Sequence, residues 1–186
     1  MTVDDIFSKL IAHTVEGLMT HAQLSDYYDF LGMCGYKECH KYHYFIENKS
    51  YRNLSSYCIE HYNKIPKEIP VDNPNVIPES WYQYMRQDVN PATRTSSIQI
   101  GMDKWIDWEK KTKLLYEQLY IEAININDIA LSIKIKDLIK DVDKELAEAC
   151  QKRLEMKAVE FNISDLMQDQ NSLYKKYKKK LEELSL

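Results

Sequence analysis

The sequence predicts an all-α protein, a four-helix bundle with one long crossover and an extra C-terminal helix. Three observations carry that reading. The 186 residues include only four glycines and five prolines, and every proline lies between Pro66 and Pro91. The chain on either side of that segment is free to form long helices. Apolar residues recur at three- and four-residue spacing through most of those flanks, the period of a helix with one buried face. The proline-punctuated segment, taken as 65–95, is far longer than a neighbouring antiparallel helix requires, and long enough to carry the chain back along a bundle.

The first helix is expected over 3–32. Thr2 and Asp5 stand at capping-box spacing, and Phe7, Leu10, Thr14, Gly17, His21, Leu24, Tyr28 and Leu31 form its stripe. Gly32 and Gly35 end it in a tight turn, and a second helix over 36–64 follows as an antiparallel partner. That helix carries two seven-residue series. Tyr44, Tyr51, Cys58 and Ile65 read as an ordinary buried stripe, whereas His40, Glu47, Leu54 and His61 place polar groups at core positions, with His43 beside them.

Within the crossover, Glu79 to Arg86 reads as one or two helical turns pinned to the bundle by Trp81 and Met85. A third helix over 96–124 presents Trp105, Trp108, Thr112, Leu115 and Leu119. After a turn capped by Asp128, the fourth helix, 128–157, carries Leu131, Leu138 and Glu145 in one series and Ile135, Val142 and Ala149 in the other. A last helix over 163–184 offers Leu166, Leu173, Tyr177, Leu181 and Leu184 as a packing edge. Its lysine run between Tyr174 and Lys180 reads as a solvated face near a helix C-terminus. The whole chain is read as one domain.

Composition excludes several functions. A net charge of −4 and pI near 5.8 give no general attraction to nucleic acid or to a membrane surface. No window approaches a membrane span and the N-terminus lacks a signal-peptide pattern, so a cytoplasmic protein is expected. Cys34, Cys39, Cys58 and Cys150 form no C-x-x-C pair and read as reduced thiols. Neither a glycine-rich phosphate loop nor G-x-S-x-G is present.

The informative residues are carboxyls and imidazoles on buried faces. Glu47 and Glu145 at core positions of different helices must share a proton, find cationic partners or bind a metal. In a hairpin turning near residue 34, paired positions sum to about 68, so His21 faces Glu47 and Tyr28 faces His40. Glu109, on the shoulder of its stripe, falls in depth between Asp141 and Glu145. His21, Glu47, Glu109 and Glu145, with Glu16 or Asp141 at the edge, then form a mid-bundle cluster suited to Fe, Mn or Zn. His40 and His43 are placed off this site, toward the turn. A clamp of His40, His43 and Glu47 on one helix is the lesser alternative.

In the stretch Glu16 to Tyr28, the long crossover, the segment Trp105-Ile-Asp-Trp-Glu-Lys-Lys-Thr-Lys and Asp141-Val-Asp-Lys-Glu-Leu, the chain resembles the ferritin-like superfamily. It is also similar to small bacterial and prophage-encoded ferritin-like proteins, and the likeness covers most of residues 3–155 in architecture. The resemblance implies a pair of iron or manganese ions held by a glutamate from each of two helices and Glu-x-x-His from the others. Glu16, Glu47, Glu109 and Asp141 or Glu145 match the glutamate positions. Ser50 stands three residues after Glu47, and no Glu-x-x-His occurs in the chain. Two functions follow: a metal protein, with a homo-oligomer open to it, or a helical interaction protein without metal, whose buried polar groups are satisfied by tyrosines.

Overall fold

The computed structural model describes residues 1–66 and 91–184, and in them the protein is all-helical. Five helices follow in order: α1 (Val3–Phe30), α2 (Cys34–Tyr62), α3 (Pro91–Asn125), α4 (Ile129–Ala158) and α5 (Ile163–Leu184). Most of the crossover, with the turns expected around Trp81 and Met85, lies outside the described residues.

Local chemistry sets the helix ends. Thr2 and Asp5 form a reciprocal capping box, the Asp5 amide donating to Thr2 Oγ1 at 3.2 Å and the Thr2 amide to Asp5 Oδ2 at 2.9 Å. α1 stops at Phe30, two residues short of the expected 32, because the chain turns at Gly32, whose φ of 72° suits a residue without Cβ. α2 then begins at Cys34, so Gly35 lies inside a helix rather than in the turn. α3 starts at Pro91, well before the expected Ser96, since a missing N–H costs nothing in the first helical turn. Asp128 caps α4 by accepting from the Leu131 amide at 2.9 Å, as its position after Asn125 implied.

Side-chain pairs give the helix directions. Tyr28 meets Tyr36 and His21 meets His43, so α1 and α2 are antiparallel. Tyr27 donates to the Ser97 carbonyl at 2.8 Å while His13 bonds Thr112, so α1 and α3 are antiparallel too. Lys113 pairs with Asp143 and Arg153 with Asp103, which makes α4 antiparallel to α3. Accordingly α2 and α3 run the same way, and the end of one lies across the molecule from the start of the next. That is why so long a connection is needed. α5 runs parallel to α2, with Gln170 at Gly35 and Tyr177 at Tyr42, and contacts α4 through Glu148.

α2 lacks a side-chain cap of its own at Met33. Gln170 of α5, fully buried, supplies one: its Oε1 accepts from the amides of Gly35 at 2.8 Å and Tyr36 at 3.3 Å. A Cβ on Gly35 would sit 2.6 Å from the Gln170 carbonyl oxygen, so glycine permits this close approach. Gln170→Ala should therefore cost about 1–3 kcal/mol, two buried amides being left without an acceptor. Urea denaturation should show the loss, and an unchanged midpoint would refute the capping role.

The core falls into two apolar clusters. One, toward the α1–α2 turn, contains Leu24, Tyr28, Tyr36, Trp105, Met156 and Tyr177. The other, toward the opposite end, contains Phe7, Leu10, Leu54, Leu119, Leu131 and Ile135. On α2 the buried stripe is the series with His40 and Leu54, not the one expected: Tyr51 is 38% and Ile65 84% exposed, and only Cys58 of that series is buried. Tight docking of α1 on one side and α5 on the other selects this face.

Candidate functional site

Between the two apolar clusters lies a polar layer to which four helices contribute. α1 supplies His13, Thr14, Gly17 and His21; α2 supplies His40, His43 and Glu47; α3 supplies Glu109 and Thr112; α4 supplies Glu145. Each helix turns polar at the same depth. A hydrophobic core interrupted in register on four helices makes this layer the candidate site, because each unpaired buried polar group costs roughly 1–3 kcal/mol.

Three histidines form the inner part. His21, His40 and His43 are 0%, 0% and 3% exposed. Their ring centroids lie 5.1 Å apart for His21 and His43, 5.4 Å for His21 and His40, and 6.5 Å for His40 and His43. His21 and His40 share one hydrogen bond between their Nδ1 atoms at 3.1 Å, so one ring donates and the other accepts. The accepting ring must carry its own proton on Nε2. Nε2 of all three rings is buried without a hydrogen-bond partner. Burial first, then the neighbouring imidazoles, pushes His21 and His40 well below the usual histidine range, and burial brings His43 down to about 4. All three are neutral at physiological pH.

The carboxyls stand beside them. Glu109 is 1% exposed, accepts from Trp105 Nε1 at 3.0 Å, and has Oε1 3.8 Å from His21 Nε2. Its pKa is driven well up by burial and then by Glu145 and Glu47, outweighing the Trp105 bond. Because desolvating two charges exceeds their attraction at this depth, His21 and Glu109 form a neutral contact rather than an ion pair. Glu47 is raised to about 8, by burial and then by the Glu145 charge. Its carboxyl lies over Gly17, where a Cβ would stand 2.9 Å from Glu47 Cδ. Glycine in mid-helix thus makes room for the acid despite its low helix propensity. Glu145 Oε1 lies 3.7 Å from His43 Nδ1, and its pKa is raised by burial and by Asp141.

Glu47 and Glu145 border a cleft of about 330 Å³ between α2, α3 and α4, with Tyr42, Tyr116 and Lys180 also on its walls. His43 lines the cleft as well, so the histidine face meets it directly beside these two acids. Among the described residues, no group of three or more His, Cys, Asp or Glu side chains is placed to hold a metal ion.

No family model, curated protein or solved structure matches the chain. Geometry alone must carry the functional reading.

Of the six residues expected at a metal site, the structure gathers His21, Glu47, Glu109 and Glu145 in one layer. Glu16 instead pairs with Lys111 on the outer face of α1 and α3. Asp141, its side chain 68% exposed, pairs with Lys144 at 2.8 Å on the cleft rim. Glu109 proves buried rather than a shoulder residue. His21 meets His40 and His43, and Glu47 meets Gly17, because the hairpin turns near residue 32 and paired positions sum to 64. The two-residue shift moves His40 and His43 from the periphery to the centre. Tyr28 does face His40, stacked at 5.3 Å. It offers a ring face and not a hydroxyl, so the tyrosine does not satisfy the imidazole. The signal for His40 was already present in its seven-residue spacing from Glu47.

His13 forms a separate feature. It stacks on Trp108 at 4.4 Å, and its Nε2 bonds Thr112 Oγ1 at 2.8 Å. As the Thr112 hydroxyl donates to the Trp108 carbonyl, the His13 proton resides on Nε2. Among the described residues no helix is long and apolar enough to cross a membrane.

Proposed function

We propose that this protein is a ferritin-like helical bundle that binds a divalent transition metal, Fe, Mn or Zn, in its mid-bundle polar layer. The observation that carries the reading is the unpartnered Nε2 of buried His21, 3.8 Å from the Glu109 carboxyl and at the level of Glu47 and Glu145. Neutral imidazole is the form that ligates metals, and a carboxyl buried without a cation is an expensive arrangement for stability alone. The helix directions support the ferritin-like assignment, since they require one long connection between parallel second and third helices.

Glu47, Glu109, Glu145 and His21 are the donors this reading names, with Trp105 orienting Glu109 through the indole N–H. A bound ion would supply Lewis acidity and, if iron or manganese, one-electron chemistry. The cleft at His43, Glu47 and Glu145 gives solutes access, while apolar clusters flank the layer above and below.

Chelator-stripped protein titrated anaerobically with Fe(II), and with Mn(II) and Zn(II), should take up at least one ion per chain. Saturating metal at a hundred times Kd should add about 2.7 kcal/mol to folding stability. Glu109→Gln should weaken binding by tenfold or more while keeping the helical circular dichroism. A wild-type chain that binds none of the three ions would overturn the proposal and leave the interaction protein standing.

A further inference from the structure

We infer that the cleft between α2, α3 and α4 binds a small zwitterion, an ω-amino acid whose ammonium lies among Glu47, Glu145 and His43 and whose carboxylate pairs with Lys180. The inference goes beyond the metal-binding reading and does not need it, because it rests on groups that line the cleft of about 330 Å³ rather than on His21 and Glu109 behind it.

The acids of the cleft lack a cation. Among the described residues, neither Glu47 nor Glu145 has a lysine or arginine within ion-pair distance. His43, 3% exposed, lines the same space; its Nε2 has no hydrogen-bond partner, and its Nδ1 stands 3.7 Å from Glu145 Oε1, beyond hydrogen-bond distance. With the proton on Nε2, Nδ1 offers a lone pair beside that carboxyl. An ammonium carries three N–H donors, and Glu47, Glu145 and His43 are three acceptors bordering one space. Bonds of this charge-assisted kind are about twice as strong as neutral ones.

Lys180 is the converse, a cation without an acid. It lines the cleft from α5, lies over the Tyr42 and Tyr177 rings at 4.7 and 4.9 Å, and pairs with no carboxyl among the described residues. The cleft's other lysine, Lys144, is already taken by Asp141 at 2.8 Å. Lys180 and the acids do not neutralise each other because they are held apart. Glu47 turns its carboxyl over Gly17 of α1, whereas the rings hold Lys180 at the level of Tyr42, five residues back along α2. At about 1.5 Å per residue that is roughly 7 Å, the reach of a four- or five-carbon ω-amino acid and too far for glycine. Ile46, Leu138 and Val142 give the intervening methylenes an apolar wall.

Calorimetric titration of chelator-stripped wild-type protein at pH 7 with glycine, 3-aminopropionate, 4-aminobutyrate, 5-aminopentanoate and 6-aminohexanoate should show one saturable site. Affinity should peak at the four- or five-carbon member, with Kd below about 1 mM. Butylamine and butyrate, each lacking one of the two charges, should bind at least tenfold more weakly. Lys180→Met should cost the amino acid at least tenfold and change butylamine less than threefold, a split that a merely structural role would not produce. No saturable binding by any member, or butylamine as tight as the amino acids, overturns the inference. So does a Lys180→Met variant that binds the amino acid as well as wild type does; should that variant fail to fold by circular dichroism, the wild-type series decides alone. Glu47 is shared with the metal-binding reading, and working without metal keeps the two apart: failure here leaves metal uptake standing, and a chain that takes up no metal leaves this site standing.

Discussion

Unfolding of the metal-free protein in urea should show greatest stability near pH 6.5 and a clear loss by pH 8. Two sets of groups produce this profile. His21, His40 and His43 have lowered pKa values in the fold, with His43 near 4 and His13 near 3. The unfolded chain therefore binds more protons below about 6.5, and stability falls as pH drops from there toward 4. Glu47, Glu109 and Glu145 are raised, Glu47 to about 8. Here the folded state holds the extra proton, so the stability they contribute is present below about pH 4.5 and is lost as pH rises through the folded pKa. Between about 4.5 and 6.5 the two sets oppose each other. Above 6.5 the acids act alone, and Glu47 by itself should cost on the order of 2 kcal/mol by pH 8. Glu47→Gln should flatten that upper limb. A wild-type profile level from pH 6.5 to 8.5 would show that the carboxyls are ionised in the fold.

Trp105→Ala should be the most damaging single truncation in the protein. Trp105 is fully buried, lies against His40 and His43 with ring centroids at 4.9 and 5.5 Å, and donates Nε1–H to Glu109. Removing the indole leaves a cavity worth about 3–5 kcal/mol, and Glu109 loses its donor at a further cost on the order of 1–3 kcal/mol. Against a total stability of about 5–15 kcal/mol, that sum brings the fold to its limit. Trp105→Phe separates the two effects, because it keeps most of the packing and removes only the donor. Equal loss in both variants would place the energy in the hydrogen bond. A large loss in the alanine variant alone would place it in packing.

The same division between local and distant causes explains what could be read in advance. The capping box at Thr2 and Asp5, the cap at Asp128, the breaker-free flanks and the helical periods are all settled within a few residues. Each was legible in the sequence, and the all-α class, with five helices among the described residues, follows from them. Glu47 and Glu145 were likewise visible, because a carboxyl at a core position of a stripe is itself a local signal. His40 was visible in the same way, at seven residues from Glu47, yet its place depended on where the hairpin turned. Gly35 looked like a turn residue and is instead a contact point for Gln170, which lies 135 residues away.

By itself, the sequence determined which segments are helical and that the bundle's centre is polar, because helix propensity, capping and stripe composition act within one or two turns. Only the tertiary structure decided which polar groups meet. A hairpin turn two residues earlier than expected, and so a pairing shifted by four, set His21 against His40 and His43. It laid Glu47 over Gly17, while Glu16 pairs with Lys111 of α3 and Asp141 with Lys144 one turn along α4. Register is fixed by the packing of whole faces, α1 on α2 and α5 beside them, and that information is spread over the chain rather than written at the residues it positions.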